Sequence, residues 1–395
     1  MRVTSSMIFD TGLQQMQKQN KQLLDTYTQV ATGRRVLQPS DDPVAAARAL
    51  EIGQSRSVNE LHVANQGYAN DALKLVDSKL GAANDIVTYV RTRAVEAGNG
   101  GYSAQDRKYI AEDISQQFAA LQEIANSRDG TGDYLFGGYN SNVQPFQGGV
   151  LDGVTYKGDQ GVRTLQISAT RNLPVTNSGD VIFNTIRAPA GSPFALSDPQ
   201  NSGNALFSGA DLAAYNGHSY QIAYQASPLP AVFNVTDQVT GTTTPVTPSL
   251  GPNGETLVAF DGISLNLEGS LGDGDRYTLS PVGRAFDLMG NFIQGLESGN
   301  HRVSNFQSGQ TLAGMDGVQD SINQTRAGVG SRLQEVATQQ DISGSLDINY
   351  AEALSRLQDV DYAEAISSLT QQQTFLQAAQ QSFLRVSNLS LFNYL

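Results

Sequence analysis

Cysteine and tryptophan are absent from the 395 residues of this chain. Without cysteine the chain can form no disulfide, zinc–thiolate site or iron–sulfur cluster, and it has no cysteine nucleophile. Histidine is scarce: the three residues are His62, His218 and His301, and no two of them are four apart, the spacing that would place both on one helical face. We therefore predict no metal site, no cofactor and no histidine-dependent catalysis.

Basic residues are also few, with 25 Lys and Arg against 38 Asp and Glu, which gives a formal net charge of -13. A surface this acidic repels phosphate backbones and anionic lipid headgroups, so we predict neither nucleic acid nor membrane as a partner. No stretch approaches the roughly 20 apolar residues of a membrane-spanning helix. The first residues, MRVTSSMIFDTGLQQMQKQNKQ, also lack the apolar run of a cleaved signal peptide. We expect the protein to be cytosolic or to leave the cell with no cleaved signal.

The motifs of common enzyme classes are missing. Asp273-Gly274-Asp275 resembles the start of a calcium loop, but Tyr277 stands where an EF-hand requires Asp or Asn, so a hairpin turn is predicted. The glycines at 98–101 and 137–138 match neither a P-loop nor a dinucleotide fingerprint, and no G-x-S-x-G elbow occurs. The sequence therefore predicts that the protein is not an enzyme.

Apolar content is modest as well, at 39% hydrophobic residues with a mean hydropathy of -0.29. One large buried core is not the natural expectation for such a composition. The composition favours an elongated or assembly-dependent architecture.

The first segment has a heptad pattern, in which the positions step alternately by four and three residues. The positions are Phe9, Leu13, Met16, Asn20, Leu23, Tyr27 and Val30. A buried Asn in such a seam can fix register and partner number. Two interpretations stay open for this segment, a coiled-coil seam and an amphipathic helix on a globular core. Either helix should end near Gly33, which suits the position after a helix.

A second helix is predicted to start at the sequence Asp41-Asp42-Pro43. Asp42 can accept hydrogen bonds from the unpaired amides of the first turn, and proline suits the first helical position because its missing N–H would have no partner there. We interpret Asp41, Asp42 and Pro43 as a helix cap rather than as a catalytic carboxylate pair.

The remainder of the chain alternates in character. Helical periodicity continues to about residue 97 and again from Ser103 to Ala125, whereas residues 140–280 show short alternating runs separated by Gly, Asn, Asp, Ser and Pro. Helical periodicity returns after Pro281. The last apolar stripe comprises Ile366, Leu369, Leu376, Ala379, Phe383 and Val386.

These patterns predict an α+β fold, an elongated hairpin of long terminal α-helices with coiled-coil-like arms and an inserted antiparallel β-rich domain. We divide it into a terminal coiled-coil core (1–40 and 350–395), a helical arm domain (41–139 and 281–349) and an outer β-rich domain (140–280). Helices with narrow apolar stripes are marginal alone, so the two ends should pair with each other, with other subunits, or both. The predicted seam and subunit interface comprises Leu13, Met16, Asn20, Leu23, Tyr27, Val30, Ile366, Leu369, Leu376, Phe383 and Val386.

Four segments resemble those of a known family. ATGRRVLQPSDDPVAAARAL, from Ala31 to Leu50, is similar to the N-terminal signature of the bacterial flagellin superfamily. MRVTSSMIF at the start and NSRDGTGDYLFGGYNSNVQPF from Asn126 resemble the branch that joins the flagellar hook to the filament. SRLQDVDYAEAISSLTQQQTFLQAAQQSFLRVSNLSLFNYL, from Ser355, resembles the C-terminal helix that flagellins and this branch share. The resemblance covers roughly residues 1–140 and 283–395, and it is weaker in the insert, mainly at YKGDQGVR from Tyr156.

The resemblance implies a structural axial protein of the bacterial flagellum that forms the layer between hook and filament and templates flagellin polymerisation. Its implied partners are the proximal hook-associated junction protein, flagellin, further copies of itself in a ring-like oligomer, and a cytosolic export chaperone that binds before secretion. The family leaves the cell through the type III export channel without a cleaved signal peptide. An extracellular, flagellar location is therefore expected, with terminal segments that order on assembly.

Two alternatives remain at this stage. Flagellins usually carry Ala-Ala-Gly after the paired Asp, whereas this chain has Pro43-Val44-Ala45, which favours the junction branch over a divergent flagellin. A second alternative is a helical-arm protein that presents an adhesive or carbohydrate-binding β domain, since 15 Tyr and 15 Phe could stack on sugars.

Overall fold

Long helices form both ends of the chain in the computed structural model, which describes the main chain of residues 5–392 and the side chains of residue 7 and residues 10–385. The helices are α1 (Ser5–Thr32), α2 (Pro43–Ala97), α3 (Ala104–Ala125), α4 (Ala285–Glu297), α5 (His301–Gln358) and α6 (Tyr362–Phe392). Antiparallel strands fill the sequence between α3 and α4. The predicted α+β class, with long terminal helices and an inserted antiparallel β-rich domain, is confirmed.

Helix boundaries follow local chemistry. α1 ends at Thr32, before Gly33, whose φ of 73° is the left-handed conformation that glycine adopts at low cost. α3 starts with the capping box that Ser103 and Asp106 predict, since the Ser103 hydroxyl accepts from the Asp106 N–H while the Asp106 carboxylate accepts from the Ser103 N–H. These ends can be read from the sequence because their partners are a few residues away.

The described chain divides into two compact units. A terminal unit consists of Met1–Ala64 and Gln339–Leu395, and a central unit consists of Asn65–Thr338. Helices α2 and α5 each contribute residues to both. The boundaries of the three-part division made from the sequence stay a prediction.

The described strands of the central unit form three two-stranded pairs and two larger sheets. In chain order they are β1 (Phe146–Gly149), β2 (Gly153–Tyr156), β3 (Thr164–Ser168), β4 (Arg171–Pro174), β5 (Ile186–Arg187), β6 (Phe194–Ser197), β7 (Leu206–Asp211), β8 (Tyr220–Gln225), β9 (Val232–Asp237), β10 (Thr243–Val246), β11 (Ser249–Leu250), β12 (Thr256–Phe260), β13 (Ile263–Glu268), β14 (Arg276–Ser280) and β15 (Val282–Gly283). One sheet has the order β10-β9-β8-β14-β6 and the other β11-β12-β13-β7. Apolar residues of both sheets share one core, in which Phe207, Tyr220, Phe233 and Tyr277 are fully buried.

The turn predicted at Asp273-Gly274-Asp275 does not close a hairpin. It connects β13 to β14, and these strands lie in different sheets. The Asp275 carboxylate accepts from the backbone N–H groups of Ser202, Gly203 and Gly272, and so holds the β6–β7 loop against the crossover. The hairpin prediction was therefore wrong, because β14 pairs with β8 and β6 and not with β13.

The second core of the central unit joins the helices to the β1–β2 hairpin. Phe146 is fully buried, and its ring centroid lies 5.4 Å from that of Phe286 on α4 and 5.6 Å from that of Phe183. Asn126, directly after α3, accepts from the Phe146 N–H and donates to its carbonyl oxygen, each at 2.9 Å. The hairpin is thereby fixed to both helices.

The segment with the sequence DYLFGGYN is held by hydrogen bonds from backbone N–H groups to the carboxylate of Asp159. The Asp159 carboxylate accepts from the N–H groups of Tyr139, Asn140 and Gly161 at 2.6–3.0 Å, which lowers the pKa of this carboxyl. Gly138 adopts a φ of 75°, and a Cβ there would lie 2.1 Å from the Asp159 carboxylate. Only glycine therefore fits at 138.

Asp287, in the first turn of α4, is half-buried, and burial disfavours its ionised form. Burial raises its pKa to about 6; the Arg284 guanidinium, 3.6 Å away, opposes the shift, and the negative charge of Asp198 adds to it. A carboxyl whose pKa is higher in the folded than in the unfolded state binds a proton more tightly when folded. The contribution of Asp287 to the free energy of unfolding therefore falls as the pH rises from about 4 to 6.

We predict that Asp287→Asn makes the central unit more stable at pH 7. Because 21% of the side chain remains exposed, we expect a gain of about 1–2 kcal/mol, with little difference from wild type below pH 4. Urea unfolding at a series of pH values between 3.5 and 7.5 measures the effect. A variant less stable than wild type at pH 7 would contradict the assignment, and Asp211→Asn, in an exposed position, is the control.

Candidate assembly surface

The terminal unit buries almost nothing large and apolar. Its buried residues in the described part of the chain are small or polar: Thr26, Ala45, Ala49, Asn59, His62, Ser343 and Ala365. Both extended hydrophobic cores lie within the central unit, from Ala69 to Val336. Helices gain most of their stability in proteins from burying an apolar face, so the described part of the terminal unit lacks the burial that would stabilise it alone.

Helices α1 and α6 pack against each other through one face each. The half-buried or buried positions on α1 include Gly12, Met16, Gln19, Leu23, Thr26 and Val30, and those on α6 include Ala365, Leu369, Gln372, Leu376, Ala379 and Phe383. Both sets step by four and three residues, as in a coiled coil. The two helices come close at Gly12, where an added Cβ would lie 3.0 Å from the Phe383 ring.

The structure distributes the residues of the predicted seam over two surfaces. Met16, Leu23, Val30, Leu369, Leu376 and Phe383 lie at half-buried positions, whereas Leu13, Asn20, Tyr27 and Ile366 are exposed. The side chain of Val386 lies outside the described residues. Sequence reasoning missed Gly12, Gln19, Thr26 and Ala365, which are small or polar and so give no hydrophobic signal.

Two of the exposed residues of the predicted seam, Leu13 and Tyr27, belong to a second apolar stripe on α1. It comprises Leu13, Leu24 and Tyr27, all exposed. At 100° per residue these side chains lie roughly a quarter turn around the helix from the half-buried face. No described residue of the terminal unit covers this stripe, and that leaves it free to contact another molecule.

The predicted cap residues lie at the start of α2. Asp42 Oδ1 accepts from the Ala45 N–H at 3.0 Å and Oδ2 lies 3.2 Å from the Arg35 guanidinium; together they hold the pKa of this carboxyl below its usual range. Pro43 is the first residue of α2. Asp41 instead accepts from the N–H groups of Leu37 and Gln38, and so orders the loop before the helix.

Further polar contacts tie the two chain ends together within the terminal unit. The N–H of Arg35 donates to the carbonyl oxygen of Gln358, and the N–H of Val360 donates to that of Gly33. Arg56 on α2 pairs with Asp347 on α5 at 2.8 Å. These contacts position the α1–α2 and α5–α6 loops, but polar contacts at an exposed surface do not replace an apolar core.

The part of the chain that the structure describes offers neither a metal site nor a membrane-spanning helix. No group of three or more His, Asp or Glu side chains there is placed to hold a metal ion. No helix there combines the length and apolar character needed to cross a membrane.

The two ends of the chain match family models. The bacterial flagellin N-terminal helical region matches residues 4–141, and the bacterial flagellin C-terminal helical region matches residues 312–395, together more than half of the chain. The chain therefore belongs to the bacterial flagellin superfamily.

Within that superfamily the chain is similar to flagellar hook-associated protein 3. It is 30% identical to that protein of Salmonella typhimurium and 29% identical to that of Escherichia coli, each over 190 residues that cover 48% of this chain and 59% of the relative. The chain thus spans less than two thirds of these relatives. Flagellin A of Helicobacter felis is 25% identical over 41% of this chain and 32% of its own. The resemblance to the junction branch predicted from the motifs is confirmed.

Solved structures share the fold. The flagellar hook-associated protein 3 of Legionella pneumophila superposes with a TM-score of 0.55 at 23% identity, over 78% of this chain and 98% of its own. The FlgL protein of Xanthomonas campestris superposes with a TM-score of 0.52 at 23% identity, over 80% and 99% respectively.

Proposed function

We propose that this protein is a structural axial component of the bacterial flagellum, located outside the cell, that forms the layer between hook and filament and templates flagellin polymerisation. The protein acts through the contacts that it makes with its neighbours and not through catalysis. The proximal hook-associated junction protein lies on one side and flagellin on the other, and copies of the chain form a ring-like oligomer. The similarity to hook-associated protein 3 supports this proposal over a divergent flagellin.

The observation that carries the proposal is the uncovered apolar surface of the terminal unit. Leu13, Leu24, Tyr27, Ile366 and Phe375 are exposed on α1 and α6, while the described interior of this unit holds only small or polar residues. A monomer in water gains little from ordering such helices, whereas an assembly that covers them gains the burial. The terminal unit is therefore an assembly module, and the central unit is a fold with cores of its own.

Passage to the cell surface follows from the same proposal. We infer export through the flagellar type III channel without cleavage of a signal, with a cytosolic chaperone bound to the α6 end beforehand. A variant that lacks residues 383–395 should then lose the chaperone in a pull-down from cell extract. Retention of the chaperone at the wild-type level would remove this part of the proposal.

Deletion of the gene in its host tests the main proposal. We expect hooks without filaments in negative-stain electron microscopy and flagellin monomers in the medium, because filament subunits would lack a surface on which to polymerise. Restoring the gene on a plasmid, the control, should restore filaments.

The other outcomes of this deletion are equally decisive. Bare hooks with no flagellin in the medium would identify the chain as the filament subunit. Normal filaments on the deletion strain would overturn an axial role.

A further inference from the structure

Two pairs of exposed leucines in the terminal unit have the same spacing. Leu13 and Leu24 on α1 are 41% and 61% exposed, and Leu50 and Leu61 on α2 are 75% and 60% exposed. Each pair is 11 residues apart, which on an α-helix is about 16 Å along the axis and roughly three full turns, so each pair lies on one face. Two helices with such stripes can meet leucine against leucine at both levels.

A groove lies beside the first leucine of the α2 pair. It has a volume of about 630 Å³ and is lined by Val36, Leu37 and Pro39 of the preceding loop and by Ala46, Leu50 and Gly53 of α2. The small side chains on α2 leave the space open, and a Cβ added to Gly53 would meet no atom within 4 Å. The groove can therefore accept a large apolar side chain from outside.

Charge selects the direction in which the two stripes would meet. Lys21 lies one turn before Leu24, and Glu51 follows Leu50; neither has an ion pair among the described residues. With the helices antiparallel, Leu24 faces Leu50, and Lys21 lies within about one helical turn of Glu51. With the helices parallel, the two charges are separated by about 10 Å along the axis. The carboxylate that would then lie nearest to Lys21 is that of Glu60, which already pairs with Arg56 at 3.5 Å.

We infer that α1 of one copy of this chain docks antiparallel on the α2 groove of a second copy, with Leu24 beside Leu50 and Leu13 beside Leu61. This inference rests on the proposed function, whose ring-like layer it describes in more detail. The contact is heterologous, because it joins two different surfaces, and such contacts continue from copy to copy as a ring requires. Lys21 and Glu51 set the register at the rim, and the leucines provide the buried area.

Cysteine cross-linking in flagellated cells tests the contact, since the natural chain contains no cysteine. Differently tagged Leu24→Cys and Leu50→Cys variants are co-expressed in the deletion strain, oxidised on the cell surface and separated without reductant. We expect a mixed dimer at least tenfold more abundant than from Leu13→Cys with Leu50→Cys, or from Leu24→Cys with Val239→Cys, an exposed β-domain position.

The cross-linking outcomes separate the two proposals. If the variants are present in filament-bearing flagella and no 24–50 dimer forms, the contact is wrong while the proposed function stands. A dominant 13–50 dimer would overturn the antiparallel direction, and a dominant 24–24 dimer would overturn the heterologous contact. Absence of the wild-type protein from flagella would instead overturn the proposed function.

A second variant blocks the groove and is tested with the same two cysteines, at positions 24 and 50. Gly53→Leu places a side chain in the open space of the groove, and leucine favours a helix more than glycine does, so the helix should form. We expect at least a tenfold loss of the 24–50 dimer at an unchanged midpoint of thermal unfolding. Gly330→Leu, also in open space on an exposed helix position but in the central unit, should leave the dimer intact. Full dimer yield from Gly53→Leu would exclude the groove.

Discussion

Replacing Phe146 with alanine is expected to lower the free energy of unfolding of the central unit by about 3–5 kcal/mol, because a fully buried aromatic ring is removed and a cavity remains. The rings of Tyr156, Phe183 and Phe286 all pack on Phe146 with centroid separations of 5.0–5.6 Å. They come from β2, a π-helical turn (Asp180–Asn184) and α4, so relaxation of one element cannot fill the space. Urea unfolding of the full chain, followed by tyrosine fluorescence, measures the change.

A matched control is Tyr109→Ala, which truncates an aromatic side chain that is 62% exposed on α3. We expect a change of at most about 0.5 kcal/mol, as for most surface substitutions. If Phe146→Ala and Tyr109→Ala had similar effects, the hairpin would not be part of the central core.

Replacing Leu23 with aspartate is expected to abolish filament growth while the central unit remains folded. Leu23 lies at a half-buried position on the face of α1 that packs on α6, and an aspartate there would place an unpaired charge in the seam. Because both extended cores lie in the central unit, its unfolding transition should not change. Filament counts by electron microscopy should fall at least tenfold in a deletion strain that carries the variant.

Gln22→Asp introduces the same charge one residue away, at an exposed position of α1. It should support filaments at close to the wild-type number. Normal filaments on cells carrying Leu23→Asp would show that the α1–α6 seam is not needed for assembly. Loss of the central unfolding transition in the same variant would show that the two units do not fold independently.

The helical ends of the chain could be predicted because their signals are local. The four-and-three spacing from residue 9 to 30, the glycine at 33 and the Ser103–Asp106 cap each depend on residues within one or two turns. The family motifs at both ends are local as well, and they predicted the superfamily that the family models then matched.

The seam residues show that hydrophobicity alone does not identify which residues of a helix contact its partner. Adjacent positions such as Gly12 and Leu13, or Ala365 and Ile366, differ by only 100° around the helix, so an apolar stripe indicates a broad face and not the contacting residue. Gly12 and Ala365 lie inward because small residues let the two helices approach, and the leucine and isoleucine beside them are left exposed. The position of the partner helix decides this choice.

The strand order of the β domain could not be predicted from the sequence. The short alternating runs within residues 140–280 predicted strands, and β8, β9, β12 and β13 lie in this range. However, β14 pairs with β8 and β6, more than 50 residues away, and leaves its neighbour β13 in another sheet. An alternating pattern reports which face of a strand is buried and carries no information on which strand lies beside it.

Composition, helical period and end motifs were thus sufficient for the α+β class, the helix ends and the superfamily, since each depends on the nature and order of nearby residues. The three-dimensional arrangement was needed to distinguish the packed face of α1 from its exposed stripe and to locate the groove at Gly53. It was also needed to show that Lys21 and Glu51 have no ion pair among the described residues. These features depend on distances between residues far apart in the chain, and such distances exist only after packing has chosen among the many pairings that the same pattern allows.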